Sequence, residues 1–176
     1  HVYPKPVTHV VPQDDIEAYE RVADDLNLSG VETVFVQHEF GIYGGESGSH
    51  LLVLLRRLRM PVIVTLHTVL EKPSAAQKKV MDEIISIASA IIVMSEMGAD
   101  ILDRVHGAGP KKVHVIPHGA PERPFASTEP FKAPLGLAGH KVIMTFGLLS
   151  PNKGIETIIK GLPTILARHP DAVYLI

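Results

Sequence analysis

The chain has 176 residues, of which 45% are hydrophobic and 20% are charged, and its formal net charge is −2. This balance is typical of a globular protein and gives no basic stripe, so it argues against a partner nucleic acid. The chain contains no cysteine, which excludes disulfides and thiolate metal sites, and no apolar run reaches the roughly 18 residues of a membrane-spanning helix.

Strand and helix patterns alternate along the first 116 residues. A proline-flanked run predicts a weak strand over 7–11, and Asp14 then begins a helix as its N-cap. Further strands are predicted at 33–36, 61–66, 90–94 and 113–116, and helices at about 51–59, 75–89 and 96–106. This alternation predicts an α/β fold with a doubly wound, Rossmann-like parallel sheet.

A glycine-rich loop, HEFGIYGGESG, occupies residues 38–48 between the second predicted strand and the following helix. It lies at the carboxyl end of the strand, where open parallel sheets bind ligands. Its glycines would let backbone N–H groups approach an anion closely, and the helix N-terminus would add a partial positive charge. The alternative is a loop that needs glycine only for positive φ angles, and the sequence leaves both interpretations open.

The pattern changes at residues 120–139, where four prolines interrupt a segment with little periodicity. We therefore predict a partial N-terminal domain at 1–122, an interdomain connection at 123–139, and the start of a second Rossmann-like domain at 140–176. This last part reads as strand, loop, helix and strand. Because two strands and one helix cannot bury a core of their own, we expect the chain to be a fragment of a longer protein.

Polar side chains follow the predicted strands directly. The carboxyl ends of parallel strands meet at one edge of a sheet, so these side chains could line one cleft. They are His38, Glu39, His67, Thr68, Ser95, Glu96 and His118. For each histidine taken alone, a structural role satisfied by loop backbone is the commoner arrangement. No His-Glu-x-x-His pattern or matched carboxylate set accompanies them, so we predict no metal site.

A single lysine stands out in the second domain. Lys153 follows the loop that begins at Gly147 and precedes Gly154 at a predicted helix start, which is a natural arrangement for binding phosphate. The spacing differs from that of a Walker loop, and the absence of a GxGxxG motif argues against a dinucleotide-dependent dehydrogenase. The structural alternative is a solvated lysine at the start of a helix.

Five segments, in this order, carry a resemblance to a known family: QHEFGIYGG, PVIVTLHTVL, VMSEMGADIL, VIPHG and FGLLSPNKGIETIIKGL. They resemble the retaining family-four glycosyltransferases of the GT-B fold, and look closest to a bacterial group 1 subset. The resemblance implies a cytoplasmic enzyme with an N-terminal acceptor domain and a C-terminal nucleotide-sugar domain. It implies transfer of a sugar from a nucleotide-sugar donor to a carbohydrate or lipid acceptor with retention of configuration, without a cofactor or a metal. Peripheral membrane contact is left open.

The resemblance also implies roles for individual residues. His67 would contact the donor sugar or position the reacting groups, and Lys153 would neutralise the leaving diphosphate. The loop from His38 to Gly45 would lie on the acceptor side. The implied substrate-binding residues are His38, Glu39, Gly44, Gly45, Thr68, Ser95, His118, Gly147 and Gly154.

Three departures from the family pattern bear on activity. Many members have an arginine where this chain has Leu148 after Gly147, so one phosphate-binding cation is absent. The first strand with its glycine-rich loop and the later Glu-x7-Glu motif are not in the chain, so we expect this polypeptide alone to be inactive. The alternatives are a catalytically silent GT-B-like binding or scaffold protein, and a nucleotide-sugar epimerase-like enzyme.

Overall fold

The structure is a computed structural model that describes residues 5–176, except for the side chain of Asn152. Within it the chain separates into two units, the first ending at Ala120 and the second comprising Pro121–Ile176. None of the helices in the described residues is both long enough and apolar enough to cross a lipid bilayer.

The first unit contains a four-stranded sheet whose neighbouring strands are all parallel and follow one another in sequence order. The strands are β1 (Val34–His38), β2 (Val62–Leu66), β3 (Ala90–Val93) and β4 (Val113–Val115). The helices are α1 (Ile16–Leu28), α2 (His50–Arg57), α3 (Ala75–Ile87) and α4 (Glu96–His106). The predicted parallel, Rossmann-like α/β sheet is therefore confirmed.

Helices α2, α3 and α4 bury one face of this sheet. Alternate strand residues such as Val36, Val64 and Ile91 point into the core, where they meet leucine and isoleucine side chains of the helices. On the opposite face Phe35 is 64% exposed, and Ile63 is only half-buried. The alternation of side chains along each strand thus separates a packed face from an accessible one.

Helix boundaries in the first unit are set by local side-chain chemistry. Ser74 forms a capping box with Gln77 at the start of α3, and Ser95 caps α4. Gly107 ends α4 in the left-handed conformation that glycine adopts without strain.

Two predictions near the N-terminus were wrong. Residues 7–11 form no strand, since the run lies outside the sheet and leaves Val7 and Val10 about half exposed or more. Its flanking prolines also lack the N–H donors that a strand ladder uses. The N-cap of α1 is Asp15 rather than Asp14, because it is the Asp15 carboxylate that accepts the N–H of Ala18 at 3.1 Å.

The second unit contains a parallel pair of strands, β5 (Lys141–Met144) and β6 (Ala172–Leu175), connected through α6 (Ile155–Arg168). Ahead of them, the segment predicted as an interdomain connection contains the four-residue helix α5 (Glu129–Lys132). The Glu129 carboxylate accepts the N–H of Gly139 at 3.0 Å, and the Lys132 ammonium donates to the carbonyl of His140 at 2.9 Å. These bonds join the segment to the strand that follows it.

Candidate functional site

The carboxyl ends of the four parallel strands form one edge of the sheet in the first unit. His38 ends β1, His67 directly follows β2, and Ser95 lies two residues beyond β3. The register pairs His38 with Leu66, so the ends of β1 and β2 lie side by side. The structure therefore places these residues along a single edge, as the alternation of strands and helices predicts.

The exposed side chain of His67 is held by a neighbour on β1. Its Nε2 atom donates to the Oε1 atom of Gln37 at 2.7 Å, and the centroids of the His67 and His118 rings lie 5.9 Å apart. His118 is also exposed. Two imidazoles and an amide thus converge at the end of β2, where a ligand can reach them from solvent.

A second cross-strand contact joins the loops after β1 and β2. The hydroxyl of Thr68 donates to the Glu39 carboxylate at 2.7 Å, and the backbone N–H of His67 donates to the carbonyl of His38 at 3.0 Å. These two bonds fix the position of the His67–Thr68 dipeptide relative to β1. Of the predicted edge residues, His38, Glu39, His67, Thr68 and His118 are brought together in this way.

His38 occupies a different environment from the other edge histidines. Its side chain is fully buried, and its ring contacts Phe40 edge-on and stacks on Tyr43, with centroids 5.0 Å and 6.1 Å apart. Neither ring nitrogen has a hydrogen-bond partner among the described residues. Burial lowers the pKa of His38 to about 4, so the ring is neutral near pH 7. Contact between this side chain and a substrate remains a prediction.

Internal packing accounts for the predicted loop glycines. The N–H of Gly44 donates to the hydroxyl of Tyr19 at 3.3 Å, and that hydroxyl donates to the carbonyl of Gln13 at 3.0 Å. A Cβ atom on Gly44 would lie 1.9 Å from the Gln13 carbonyl oxygen, and one on Gly45 would lie 2.5 Å from Cδ2 of His50. Gly45 also has a positive φ of 76°. The Gly44 N–H is therefore already used, and ligand binding by either glycine remains a prediction.

The close approach at Gly44 predicts a measurable loss of stability. Gly44→Ala forces its new methyl group against backbone, which cannot rotate away as the end of a flexible side chain can, so we expect a loss of about 1–3 kcal/mol. Gly41→Ala is the matched control, because a Cβ atom there would meet no atom within 4 Å. Urea denaturation of both variants measures the difference. An equal midpoint for Gly44→Ala and the unmodified chain would contradict this packing argument.

Ser95 has a structural function at the same edge. Its Oγ atom accepts the N–H of Gly98 at 3.1 Å and so satisfies one of the free donors at the start of α4. The side chain is exposed, and its contact with a substrate stays a prediction.

The predicted residues of the second unit lie close to one another. Lys153 ends a 3-10 turn, Pro151–Lys153, and Gly154 is the N-cap of α6 with a φ of 64°. Gly147 has a φ of 119°, and a Cβ atom there would lie 3.4 Å from the Lys153 Nζ atom. The ammonium group therefore lies over the Gly147 backbone, and in the chain Lys153 directly precedes the N-cap of α6.

Two residues at this edge, Gln37 and Tyr43, were not predicted from the sequence as part of the site. Gln37 holds His67, and the hydroxyl of Tyr43 donates to the backbone carbonyl of Gln37 at 2.7 Å. Burial, with a smaller effect from Tyr19, raises the pKa of Tyr43 to about 12, which keeps its phenol protonated as a donor. The available signal was the alternation along β1, which places Gln37 on the accessible face opposite His38.

The remaining features of the first unit do not extend this site. A cleft of about 330 Å³ lies beside α2 and α3, with Arg56, Lys79 and Glu83 among its lining residues, and none of the predicted site residues lines it. Among the described residues there is no group of three or more histidine, aspartate or glutamate side chains placed to hold a metal ion.

Comparison with known proteins identifies relatives of this chain. Residues 27–122, which contain all four strands of the first unit, match Glycosyltransferase Family 4. The chain is similar to a D-inositol 3-phosphate glycosyltransferase of Corynebacterium kroppenstedtii, with 26% identity over 136 residues. It is also similar to a mannosylfructose-phosphate synthase of Agrobacterium fabrum, with 27% identity over 103 residues.

The extent of these matches differs between the chain and its relatives. They cover 67% and 54% of this chain, but only 30% and 22% of the two curated proteins. The chain thus spans less than a third of the length of either relative. Because the family match covers more than half of the chain and its entire four-stranded sheet, the chain belongs to glycosyltransferase family 4.

Proposed function

We propose that this chain is part of a longer enzyme that transfers a sugar from a nucleotide-sugar donor to an acceptor, with retention of configuration. The observation that carries the proposal is the family match over residues 27–122, which includes the edge residues from Gln37 to His118. The exposed His67 lies on that edge, where parallel sheets bind ligands. Cytoplasmic location stays a prediction.

In this proposal each unit carries residues with its own assigned role. The first unit is the acceptor domain, in which His67 contacts the donor sugar or positions the reacting groups. His38, Glu39, Gly44, Gly45, Thr68, Ser95 and His118 line or support the acceptor side. The bond between Glu39 and Thr68 supports this assignment, because it holds His67 in place without occupying its ring.

The second unit is the proposed start of the nucleotide-sugar domain. Lys153, Gly147 and Gly154 form the diphosphate-binding group, in which a cation and the start of a helix act on the same anion. A leaving diphosphate gains negative charge in the transition state, and these groups stabilise that charge. The proposal therefore assigns no step to a metal or a cofactor.

The acceptor is a carbohydrate or a lipid, and a lipid acceptor would require peripheral contact with a membrane. The names of both relatives contain a phosphorylated small molecule. Phosphorylated polyols and sugars are therefore the first acceptors to test.

The experiment is a transfer assay on the full-length protein with a panel of UDP- and GDP-sugars. We expect turnover with one donor class, and a product whose glycosidic bond has the anomeric configuration of the donor, as read by NMR. The 176-residue chain, assayed in parallel, should transfer no sugar and should show no micromolar binding of these donors by titration calorimetry. Inversion would contradict the proposed stereochemistry, and turnover by the isolated chain would contradict the proposal that the chain is only part of the enzyme.

One observation favours a second candidate, a family member that binds nucleotide sugars without catalysis. Leu148 stands where many members have a phosphate-binding arginine, and its side chain is 89% exposed. Donor binding by the full-length protein, with no turnover across the acceptor panel, would favour this candidate over the enzyme.

A further inference from the structure

The hydrogen bond between Gln37 and His67 determines which nitrogen of the imidazole carries the proton. The Oε1 atom of Gln37 lies 2.7 Å from Nε2 of His67, and a carbonyl oxygen can only accept. With that oxygen facing the ring, Nε2 carries the hydrogen. A neutral imidazole has one N–H group, so Nδ1 is then a bare acceptor.

Thr65 on β2 contacts the Gln37 amide, and Tyr43 in the loop after β1 holds the Gln37 backbone. Thr65 is the register partner of Gln37 across β1 and β2, and its hydroxyl accepts from the Gln37 amide nitrogen in a long contact of 3.5 Å. The hydroxyl of Tyr43 donates to the Gln37 backbone carbonyl at 2.7 Å. With the amide nitrogen directed to Thr65, the amide oxygen is directed to His67.

The other nitrogen of His67 is available to a ligand. In the described residues the hydrogen bonds of the His67 ring use Nε2 alone, and the side chain is exposed. The neighbouring His118 ring lies 5.9 Å away between centroids, at an interplanar angle of 36°, which is too far for a hydrogen bond. A ligand at this edge therefore meets the Nδ1 lone pair.

We propose that Gln37 is a positioning residue that holds His67 in the Nε2–H tautomer, so that Nδ1 accepts a hydrogen bond from a substrate hydroxyl. A bare lone pair repels a carboxylate or phosphate oxygen and attracts an O–H donor, which makes a sugar hydroxyl the group that His67 recognises. The second part of this inference rests on the proposed function, since it requires His67 to face the substrate.

The tautomer is tested by NMR on the 176-residue chain with ¹⁵N-labelled histidine, at roughly pH 8, above the ordinary imidazole pKa. We expect the His67 ring nitrogens to give the shifts of a pure Nε2–H form. His114, which is exposed on β4, gives the reference for an unconstrained ring. An Nδ1–H form at His67, or an average equal to that of His114, would overturn the tautomer assignment.

Substitutions at Gln37 separate positioning from a merely structural contribution. Gln37→Leu should relax His67 to the averaged shifts of the reference ring, and Gln37→Glu, which retains an acceptor oxygen, should restore the pure form. Gln13→Leu is the matched control, because Gln13 is an exposed glutamine whose amide reaches the carbonyl of Gly41 and no imidazole. Unchanged His67 shifts in Gln37→Leu would also overturn the proposal.

Kinetics on the full-length protein tests the substrate-facing part. Gln37→Leu should lower kcat/KM about tenfold, the effect of one misdirected hydrogen bond, and Gln13→Leu should not. Loss of the tautomer without loss of turnover would overturn the assignment of His67 to a substrate hydroxyl. A wild-type protein that transfers no sugar would count against the proposed function and leave the tautomer result intact.

Discussion

Lys153→Ala in the full-length protein is expected to lower kcat/KM by about 10²–10³-fold, or about 3–4 kcal/mol, as for loss of one preorganised charge-stabilising donor. The ammonium group lies over the Gly147 backbone, and Lys153 directly precedes the N-cap of α6, so we expect its charge and the helix dipole to act on the same phosphate. A leaving diphosphate gains charge in the transition state, so the effect should fall on turnover more than on donor binding. Steady-state kinetics with a saturating acceptor measures both.

The leucine at position 148 should make kcat/KM depend strongly on Lys153. With leucine in place of the usual arginine, residue 148 supplies no cation to compensate for the loss of Lys153. Lys160→Ala is the matched control, because Lys160 is exposed on α6 and its replacement should cost no more than about 0.5 kcal/mol. Turnover close to wild type in Lys153→Ala would show that this lysine is a solvated residue at a helix start.

Acid is expected to destabilise the first unit by about 3 kcal/mol through His38 alone. The pKa of the folded-state ring is lowered to about 4 by burial, whereas an unfolded histidine titrates near its model value of 6.5. Between these two values the unfolded chain binds more protons than the folded chain, so protonation favours unfolding. The contribution of the neutral His38 ring to the free energy of unfolding is fully present above about pH 6.5 and is lost as the pH falls to about 4.

The measurement is urea unfolding, followed by circular dichroism, across that pH range for the unmodified chain and for His38→Leu. The variant should lose the part of the pH dependence that belongs to His38, whatever its stability at neutral pH. His114→Leu controls for removal of a histidine as such, because its side chain is exposed on β4. If the free energy of unfolding depends on pH identically in His38→Leu and in the unmodified chain, burial of the His38 ring does not destabilise the folded chain in acid.

The sequence predicts the strands and helices of the first unit well because each has a clear local signal. Pro61 and the β-branched run after it mark β2, and the serines at 74 and 95 cap the helices that follow. The run at 7–11 has the composition of a strand but finds no neighbouring strand with which to pair. Residue composition indicates a preference for extended backbone, but a strand forms only where a neighbouring strand supplies its hydrogen bonds.

The candidate site was only partly predictable, since its contacts depend on register and close packing. His38 attracts notice as a histidine, yet the alternation along β1 buries it and exposes Gln37 beside it. The contact between Gln37 and Thr65 exists only once β1 and β2 pair. Likewise, Gly44 was predicted to admit an anion or a positive φ, and its position is instead determined by the Gln13 carbonyl, which is distant in sequence.

The sequential order of β1 to β4 has a consequence for how the first unit folds. Each strand pairs with the next one along the chain, so paired residues are separated by no more than about 30 positions. Each pairing closes a loop of similar length and carries a similar entropic cost, and none must wait for a distant segment. The sheet can therefore grow by one strand and one helix at a time, in the order in which the ribosome releases them.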